Sequence, residues 1–403
     1  MKIAFLSSIY PDHLELIYTK NKFLKRKTYA EQKKIVDRKT ICSMSKWPKL
    51  LNDIGHESIM LIRNNSYMQE MWSKENEFHD NSGDYEFNIL NEQVKRFQPD
   101  ILFIFGASYY DQNNRLDRIT NNCTSIKKKI CWYGAPEGNE NIFGQYDLVL
   151  TNSISLRDSI RKKGGKSEKL DHAFEPEIIN AIQKKPKINK ICFIGSLIPG
   201  NEWHNKRINY LESLAENFDV QIYSNVNRLS HKNKLLKKTF EIRQRTSSFI
   251  AKYTSSDSIF QNYANPDNLP KFSFLDNSPI NKIIKRPVYG IDMLQKLSEY
   301  RVTFNMHIAQ TGNYACNIRL LEATGVGTCL ITDKKTGNGS FLSRFNNFCS
   351  YDSKEDLITK TDHLMSNHRL TDQISEELQQ QTISKHNTKN QFDRLNNYLK
   401  LII

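Results

Sequence analysis

The chain has 403 residues, 38% hydrophobic and 11% aromatic, with a formal net charge of +14. That length exceeds one ordinary core and favours two domains, and no run approaches the roughly 18 apolar residues of a membrane-spanning helix. Arginines and aromatic residues are not gathered on one motif, which argues against a nucleic-acid partner. The positive charge is spread along the chain. It fits a bias toward Lys, Asn and Ile in base composition, or a basic face that rests on an anionic membrane or meets anionic substrates.

Taken in chain order, Lys2–Ser7 reads as a first apolar strand that ends before Tyr10-Pro11-Asp12, not as a signal peptide. Residues 18–40 are highly charged and read as an exposed helical excursion. Residues 47–54 place Trp47, Leu51 and Ile54 at helical spacing, with Pro48 in the first turn and Gly55 closing the helix. Glu57–Ile62 is the next strand, residues 87–97 a helix, and ILFIFG, KKICWYG and YDLVLTN are further apolar strands. Strands alternating with helices, each strand largely apolar, predict a parallel doubly wound sheet. Residues 175–189, rich in Pro and Lys, read as a linker.

The pattern restarts near Lys190. KICFIGSLIPG is a strand running into a glycine-containing loop, followed by a helix over residues 204–217 and a strand over 219–223. The polar stretch 225–287 holds KNKLLKKTFEIRQR, a basic helical segment that is either solvated or turned toward a membrane or an acceptor. Residues 302–306 form a strand, CNIRLLEATGVGTCLIT a helix, a tight turn and another strand, and the chain from Ser353 onward is mostly helical. The seven cysteines include no CxxC pair, and Cys131, Cys192 and Cys329 sit in strand-like runs. That pattern suits reduced, buried thiols in a cytosolic protein and offers no zinc site.

Two doubly wound domains in tandem can form a ligand cleft at the carboxyl ends of their strands. Gly195-Ser196 follows an apolar strand, where a bare backbone lets N–H groups approach a phosphate, and Arg207 lies one turn into the next helix. Asn317, Arg319 and Glu322 are candidates on the helix of CNIRLLEATGVGTCLIT. Arg319 can face a diphosphate with a bidentate fork, and Glu322 can accept two hydrogen bonds from a ribose diol. Gly312 precedes this helix, so its N-terminus can also face phosphate. An Arg–Glu surface pair at i, i+3 is the alternative. His307, at a strand end, can serve as a phosphate donor, a base or a structural side chain.

These residues resemble the GT-B glycosyltransferases, and among them the CgeB-like, spore-maturation-protein-like branch. The likeness runs through SSIYPDHLELIY, TYAEQ, LLNDIGHESIMLI, FQPDILFIFG, YDLVLTN, HAFEP, FIGS with His204 and Arg207, VYGIDMLQKL, TFNMH and NIRLLEATGVGTCLIT. It implies an α/β GT-B type fold of two Rossmann-like doubly wound domains facing each other across a cleft. Residues 1–180 would bind the acceptor, residues 188–375 the nucleotide-sugar, and the helical tail 376–403 would pack back toward the N-terminal domain. The implied activity is metal-independent transfer of a hexose from a UDP-sugar, or a GDP- or dTDP-sugar, with no other cofactor. The acceptor would be a surface polysaccharide, a lipid-linked glycan or a protein. The location would be the cytoplasm, with peripheral contact to the inner membrane face.

By the resemblance, Arg319 meets the diphosphate and Glu322 the ribose, Gly195, Ser196 and Arg207 line the donor side, and His307 and Asn317 sit nearby. Many retaining members carry a second Glu eight positions before the ribose Glu, where this chain has Tyr314. The stereochemistry therefore stays open. An inverting reaction needs a base, for which Asp12, His13 and Glu137 are the candidates. A nucleotide-sugar epimerase of the same fold and a non-catalytic nucleotide-sugar-binding or structural protein are the alternative readings.

Overall fold

Strand residues that alternate between two apolar surfaces build the first sheet. Its strands are β1 (Lys2–Ser7), β2 (Glu57–Ile62), β3 (Ile101–Phe105), β4 (Lys128–Trp132), β5 (Leu148–Thr151) and β6 (Ser167–Lys169). They lie in the order β2-β1-β3-β4-β5-β6, all parallel. The structure is a computed structural model and describes residues 1–79, 84–134, 140–198, 202–226, 231–251, 275, 278–307, 317–335 and 346–402. Ile3, Phe5, Ile101 and Phe103 enter one core, and Ala4, Leu6, Leu102 and Ile104 the other. Side chains alternate in direction along a strand, so a parallel sheet buried on both faces needs apolar residues at nearly every position.

Each core is closed by a different set of helices. Phe87, Leu90 and Val94 of the helix Tyr85–Phe97, with Leu116 and Ile119 of Arg115–Asn122, cover the Ala4 face. Trp47 and Leu51 of Trp47–Asp53, with Phe392, Leu395 and Leu399 of the last helix Thr388–Ile402, cover the Phe5 face. Burying each such side chain is worth roughly 1.5–3 kcal/mol. Trp47 meets Phe103 edge-on at 5.6 Å, and its indole N–H donates to Gln391 Oε1 at 3.2 Å. Gln391 in turn donates to the Asp171 carbonyl at 2.6 Å. Pro48 falls in the first helical turn, where its missing N–H costs nothing, and Gly55 takes a φ of 87° beyond the helix end.

The charged stretch 18–40 departs from the expected exposed excursion. Its helix Tyr29–Lys39 is started by a capping box between Thr28 and Glu31. Tyr18, Leu24 and Val36 are buried with Leu14, Ile17, Ile62 and Met68 in a satellite core. Its few apolar residues converge on the end of β2, which a count of charges does not reveal.

The second sheet comprises β7 (Ile188–Ile194), β8 (Val220–Tyr223), β9 (Ile284–Lys285), β10 (Tyr300–Asn305), β11 (Cys329–Asp333) and β12 (Ser350–Tyr351). The strand order is β12-β11-β10-β7-β8-β9, with parallel registers for β7–β8, β8–β9, β10–β11 and β11–β12. Two parallel six-stranded sheets are the α/β architecture expected of a GT-B type fold. By compactness the chain divides into one unit of Met1–Asn189 with Val288–Ile403 and a second of Lys190–Pro287. In the second unit the basic segment forms the helix His231–Ala251, on which Leu235 and Ile242 are exposed. No helix among the described residues is long and apolar enough to cross a membrane. Six described cysteines are free, five of them buried.

The turn after the helix Ile318–Gly325 depends on two glycines. Gly327 holds a φ of 74°, in the left-handed region. A Cβ on Gly325 would stand 2.4–2.6 Å from three atoms of the Phe174 ring. Phe174 cannot withdraw easily, because its N–H donates to the His386 carbonyl and its carbonyl accepts from Thr388. Gly325→Val is therefore expected to cost about 3 kcal/mol through overpacking, read as a lower urea midpoint. Phe174→Leu should recover part of that loss in the double variant. An unchanged midpoint would mean that the helix does not sit against Phe174.

Candidate functional site

Polar side chains gather where β10 and β11 end. Asn305, the last residue of β10, is buried and donates to Thr332 Oγ1 at 2.8 Å. Its amide oxygen accepts from Asn317 Nδ2 at 3.1 Å, and its backbone carbonyl from the Tyr351 hydroxyl at 3.1 Å. Asn317 lies just outside the helix and caps it, accepting from the Arg319 N–H at 2.9 Å. It was expected within the helix, but an Asn that bonds the backbone two residues on starts a helix in preference to continuing one. Both ends of its amide are thus engaged within the fold.

Beyond Asn305, the His307 N–H donates to Asp333 Oδ1 at 2.7 Å, and His307 Nδ1 lies 2.7 Å from the same oxygen. Lys335 stands 3.3 Å from the other carboxylate oxygen. Burial pushes the Asp333 carboxyl up, but the bonds from His307 and the charges of His307 and Lys335 outweigh it and hold the pKa below the usual value. An ionised Asp333 can only accept, so Nδ1 carries the proton toward it. That leaves His307 Nε2, buried and without a hydrogen-bond partner among the described residues. Asp333 and Lys335 were not anticipated from the sequence. The available signal was polar residues directly after the apolar strand CLITD, at a carboxyl end where ligands of parallel sheets bind.

Arg319 and Glu322 share one face of the helix Ile318–Gly325. Arg319 Nη1 is 2.8 Å from Glu322 Oε2, and their side chains are 15% and 20% exposed. Arg319 Nη1 also lies 3.0 Å from Met293 Sδ. The pair is half sheltered and close to the N-terminal end of the helix, where the backbone supplies a further partial positive charge. Gly312 and Tyr314 lie outside the described residues.

A second cluster forms around the candidate bases. His13 is 9% exposed and stacks on the Tyr289 ring at 5.3 Å with 17° between planes. Burial lowers its pKa to about 4, the Asp292 charge opposing and the Lys20 charge assisting. His13 is therefore neutral at pH 7, with a free ring-nitrogen lone pair but a basicity that burial has weakened. The Tyr289 hydroxyl donates to Asp12 Oδ2 at 3.2 Å, and burial followed by Asp12 raises the Tyr289 pKa to about 12. Gly290, with a φ of 52°, opens the helix Gly290–Glu299. A Cβ there would stand 2.0 Å from the Lys39 carbonyl and 2.8 Å from the His13 ring. Lys20 pairs with Asp292 at 2.6 Å. One short helix thus touches both clusters, through Tyr289 and Asp292 on one side and Met293 on the other. Sequence reasoning quoted VYGIDMLQKL only as part of the resemblance and assigned its residues no role, although the segment carries the glycine and the helical spacing. Glu137 lies outside the described residues.

Gly195, Ser196 and Arg207 belong to the second unit. The Gly195 N–H continues the ladder to the Tyr223 carbonyl at 3.1 Å. Arg207, 8% exposed, donates through Nη1 to the Ser196 carbonyl at 3.1 Å, and His204 Nδ1 reaches the same carbonyl at 3.1 Å. Burial, then the Arg207 charge, lowers the His204 pKa. The three expected residues therefore meet, with the guanidinium at the carboxyl end of β7.

Residues 265–397 match a protein family described as glycosyl transferase-like. No curated protein matches the chain. Among solved structures, the T4 phage β-glucosyltransferase in complex with its UDP-glucose substrate aligns at a TM-score of 0.50 and 11% identity. That alignment covers 98% of this chain and 99% of that one. The apo structure of OtsA aligns at 0.51 and 9% identity, covering 99% of each chain. TarM aligns at 0.48 and 14% identity over 79% of this chain, which spans 58% of the TarM chain. The first two likenesses, at this identity, show the GT-B type fold.

Two buried histidines set a pH dependence. His13 and His172 have pKa values lowered to about 4 in the folded chain from an ordinary 6.5, in both cases chiefly by burial. Below pH 6.5 the unfolded chain takes up protons that the folded chain refuses, so stability falls as pH drops from 6.5 toward 4. Each group contributes up to about 1.4 kcal/mol per pH unit in that window. His13→Phe, which keeps a ring against Tyr289, should flatten the slope by up to that amount in urea titrations at pH 7, 6, 5 and 4. A slope equal to that of the wild type would mean that His13 is solvated.

Proposed function

We propose that the chain is a GT-B glycosyltransferase that moves a sugar from a nucleotide-activated donor to a glycan, lipid-linked or protein acceptor. The observation that carries this reading is the helix Ile318–Gly325 with its Arg319–Glu322 pair beside the His307–Asp333 pair, inside the segment matched by a glycosyl transferase-like family. The resemblance to the CgeB-like branch adds the expectation that the first 180 residues receive the acceptor and residues 188–375 the donor.

In this reading Glu322 accepts hydrogen bonds from the ribose hydroxyls, and Arg319 lies against the diphosphate. In an inverting reaction the acceptor hydroxyl attacks the anomeric carbon directly. A bond forms from the acceptor oxygen to that carbon, and the bond from carbon to the diphosphate oxygen breaks. The acceptor proton passes to a base, His13 in neutral form or one of the carboxylates Asp12 and Glu137. The nucleoside diphosphate leaves with the electron pair. Its growing charge is met by Arg319, the helix N-terminus and Lys335. These groups are fixed before the reaction, so no reorganisation is needed as the charge develops. No metal is assigned a role, and contact of the basic surface with a membrane is part of the proposal only for a lipid-linked acceptor.

A thermal-shift screen tests donor binding. UDP and its sugars come first, followed by GDP, dTDP and CMP with theirs. A ligand at about 100 times its dissociation constant stabilises the fold by about 2.7 kcal/mol. Glu322→Ala and Arg319→Ala should each abolish the shift. His13→Gln should keep it and lower turnover by about 10²–10⁴-fold if the imidazole is the base. A folded protein that shifts with no nucleotide would overturn the reading. A full donor response with wild-type turnover in His13→Gln would transfer the role of base to Asp12 or Glu137.

A further inference from the structure

The carboxyl edge of the first sheet carries a second cationic feature, separate from the diphosphate candidates. Arg63 is the residue after β2, and its N–H donates to the Ser7 carbonyl at the end of β1. Asn64 then clamps the next loop, accepting from the Ile9 N–H at 3.0 Å and donating to the Ile9 carbonyl at 2.6 Å. Tyr109 follows β3 on the other side of β1. Two guanidiniums lie over its ring, Arg63 at 3.6 Å from the centroid and Arg115 at 4.2 Å.

The two arginines differ in how their charge is met. Arg115 donates to Asp84 at 3.3 Å and to the Tyr109 carbonyl at 3.3 Å, and Arg118 shares Asp84 at 3.3 Å. Arg63 has no carboxylate partner among the described residues. Two cations on one ring with a single carboxylate between three arginines leave a local positive excess, tempered by Glu86 nearby. Tyr110, next along the helix, is buried in the core beneath and feels the Arg63 charge, which opposes the upward push of burial on its pKa. Arg63, Tyr109 and Tyr133 are only half-buried, and Tyr133 sits with its hydroxyl 3.2 Å from Ser108 Oγ. Planar guanidinium forks match phosphate and carboxylate geometry, and the tyrosine holds Arg63 in place by cation–π attraction.

We infer that Arg63, seated on Tyr109 at the carboxyl edge of the first sheet, receives an anionic group on the acceptor, so that the acceptor is a sugar bearing a phosphate or carboxylate. This rests on the sugar-transfer reading above and names its substrate class. The site is a specificity site. Arg63 and Tyr109 hold the charged end of the acceptor, and the reacting hydroxyl lies elsewhere on it.

The test uses the full chain and two probes, glucose 6-phosphate and glucose, titrated by calorimetry at low salt. UDP thermal shifts are measured alongside. Wild type should bind glucose 6-phosphate at least tenfold more tightly than glucose. Arg63→Gln should lose at least tenfold in glucose 6-phosphate affinity with its UDP response unchanged. Arg63→Lys, which keeps the charge and loses the fork, should fall between, and it carries the comparison if Arg63→Gln does not fold. Equal affinity for both probes in the wild type, or no binding of the phosphate sugar, would overturn the proposal. So would wild-type affinity in Arg63→Gln, or a loss confined to Arg319→Ala, which would assign the anion to the donor side. Arg63-dependent binding without any UDP response would support this site while removing the sugar-transfer reading.

Discussion

Parallel pairing of the strands is the constraint on which the site depends. A parallel strand needs a covering helix to return the chain, and that helix buries the sheet face beneath it. The interiors of β1 and β3 are consequently apolar almost throughout. Chemistry is displaced to the strand ends, and in a parallel sheet the carboxyl ends share one edge. Asp12 and His13 come after β1, Arg63 and Asn64 after β2, and Tyr109 after β3. Asn305 and His307 close β10, and Asp333 and Lys335 close β11.

Once gathered there, the polar groups divide into those satisfied within the fold and those with capacity to spare. Asn305 and Asn317 belong to the first kind. Their amides tie β10 to β11 and to the start of the next helix, and a buried amide left unpaired would cost about 1–3 kcal/mol. His307 belongs to the second kind. Asp333 fixes one ring nitrogen, and the other has capacity remaining. The same division separates Arg115, paired with Asp84, from Arg63. Groups of the second kind are the ones a ligand can complete, and the geometry of the first kind holds them still.

Much of the fold could be read from the residues alone. The bounds of β1 and β2 follow from their apolar runs, and Pro48 and Gly55 bracket a helix for reasons of backbone chemistry. The edge strands β6, β9 and β12, of two or three residues each, could not be read, because so short a run has no period. The satellite core around Val36 was hidden by its charged neighbours. At the site, residue type pointed to His307, Arg319 and Glu322. The network around them needed coordinates, since Asp333 reaches His307 only after β10 and β11 pair. The neutrality of His13 was likewise invisible, for it comes from burial under Tyr289 and Gly290, 276 and 277 positions along the chain.

The last helix gives the chain an unusual order of completion. Synthesis delivers β1 long before the 15-residue helix Thr388–Ile402, yet Phe392, Leu395 and Leu399 of that helix share the core with Ile3 and Phe5. A nascent chain therefore holds β1 with an unfinished core until residues 388–402 have left the ribosome. Transient cover for that aromatic surface, by a chaperone or by non-native contacts, is a requirement of biogenesis that the finished molecule no longer displays.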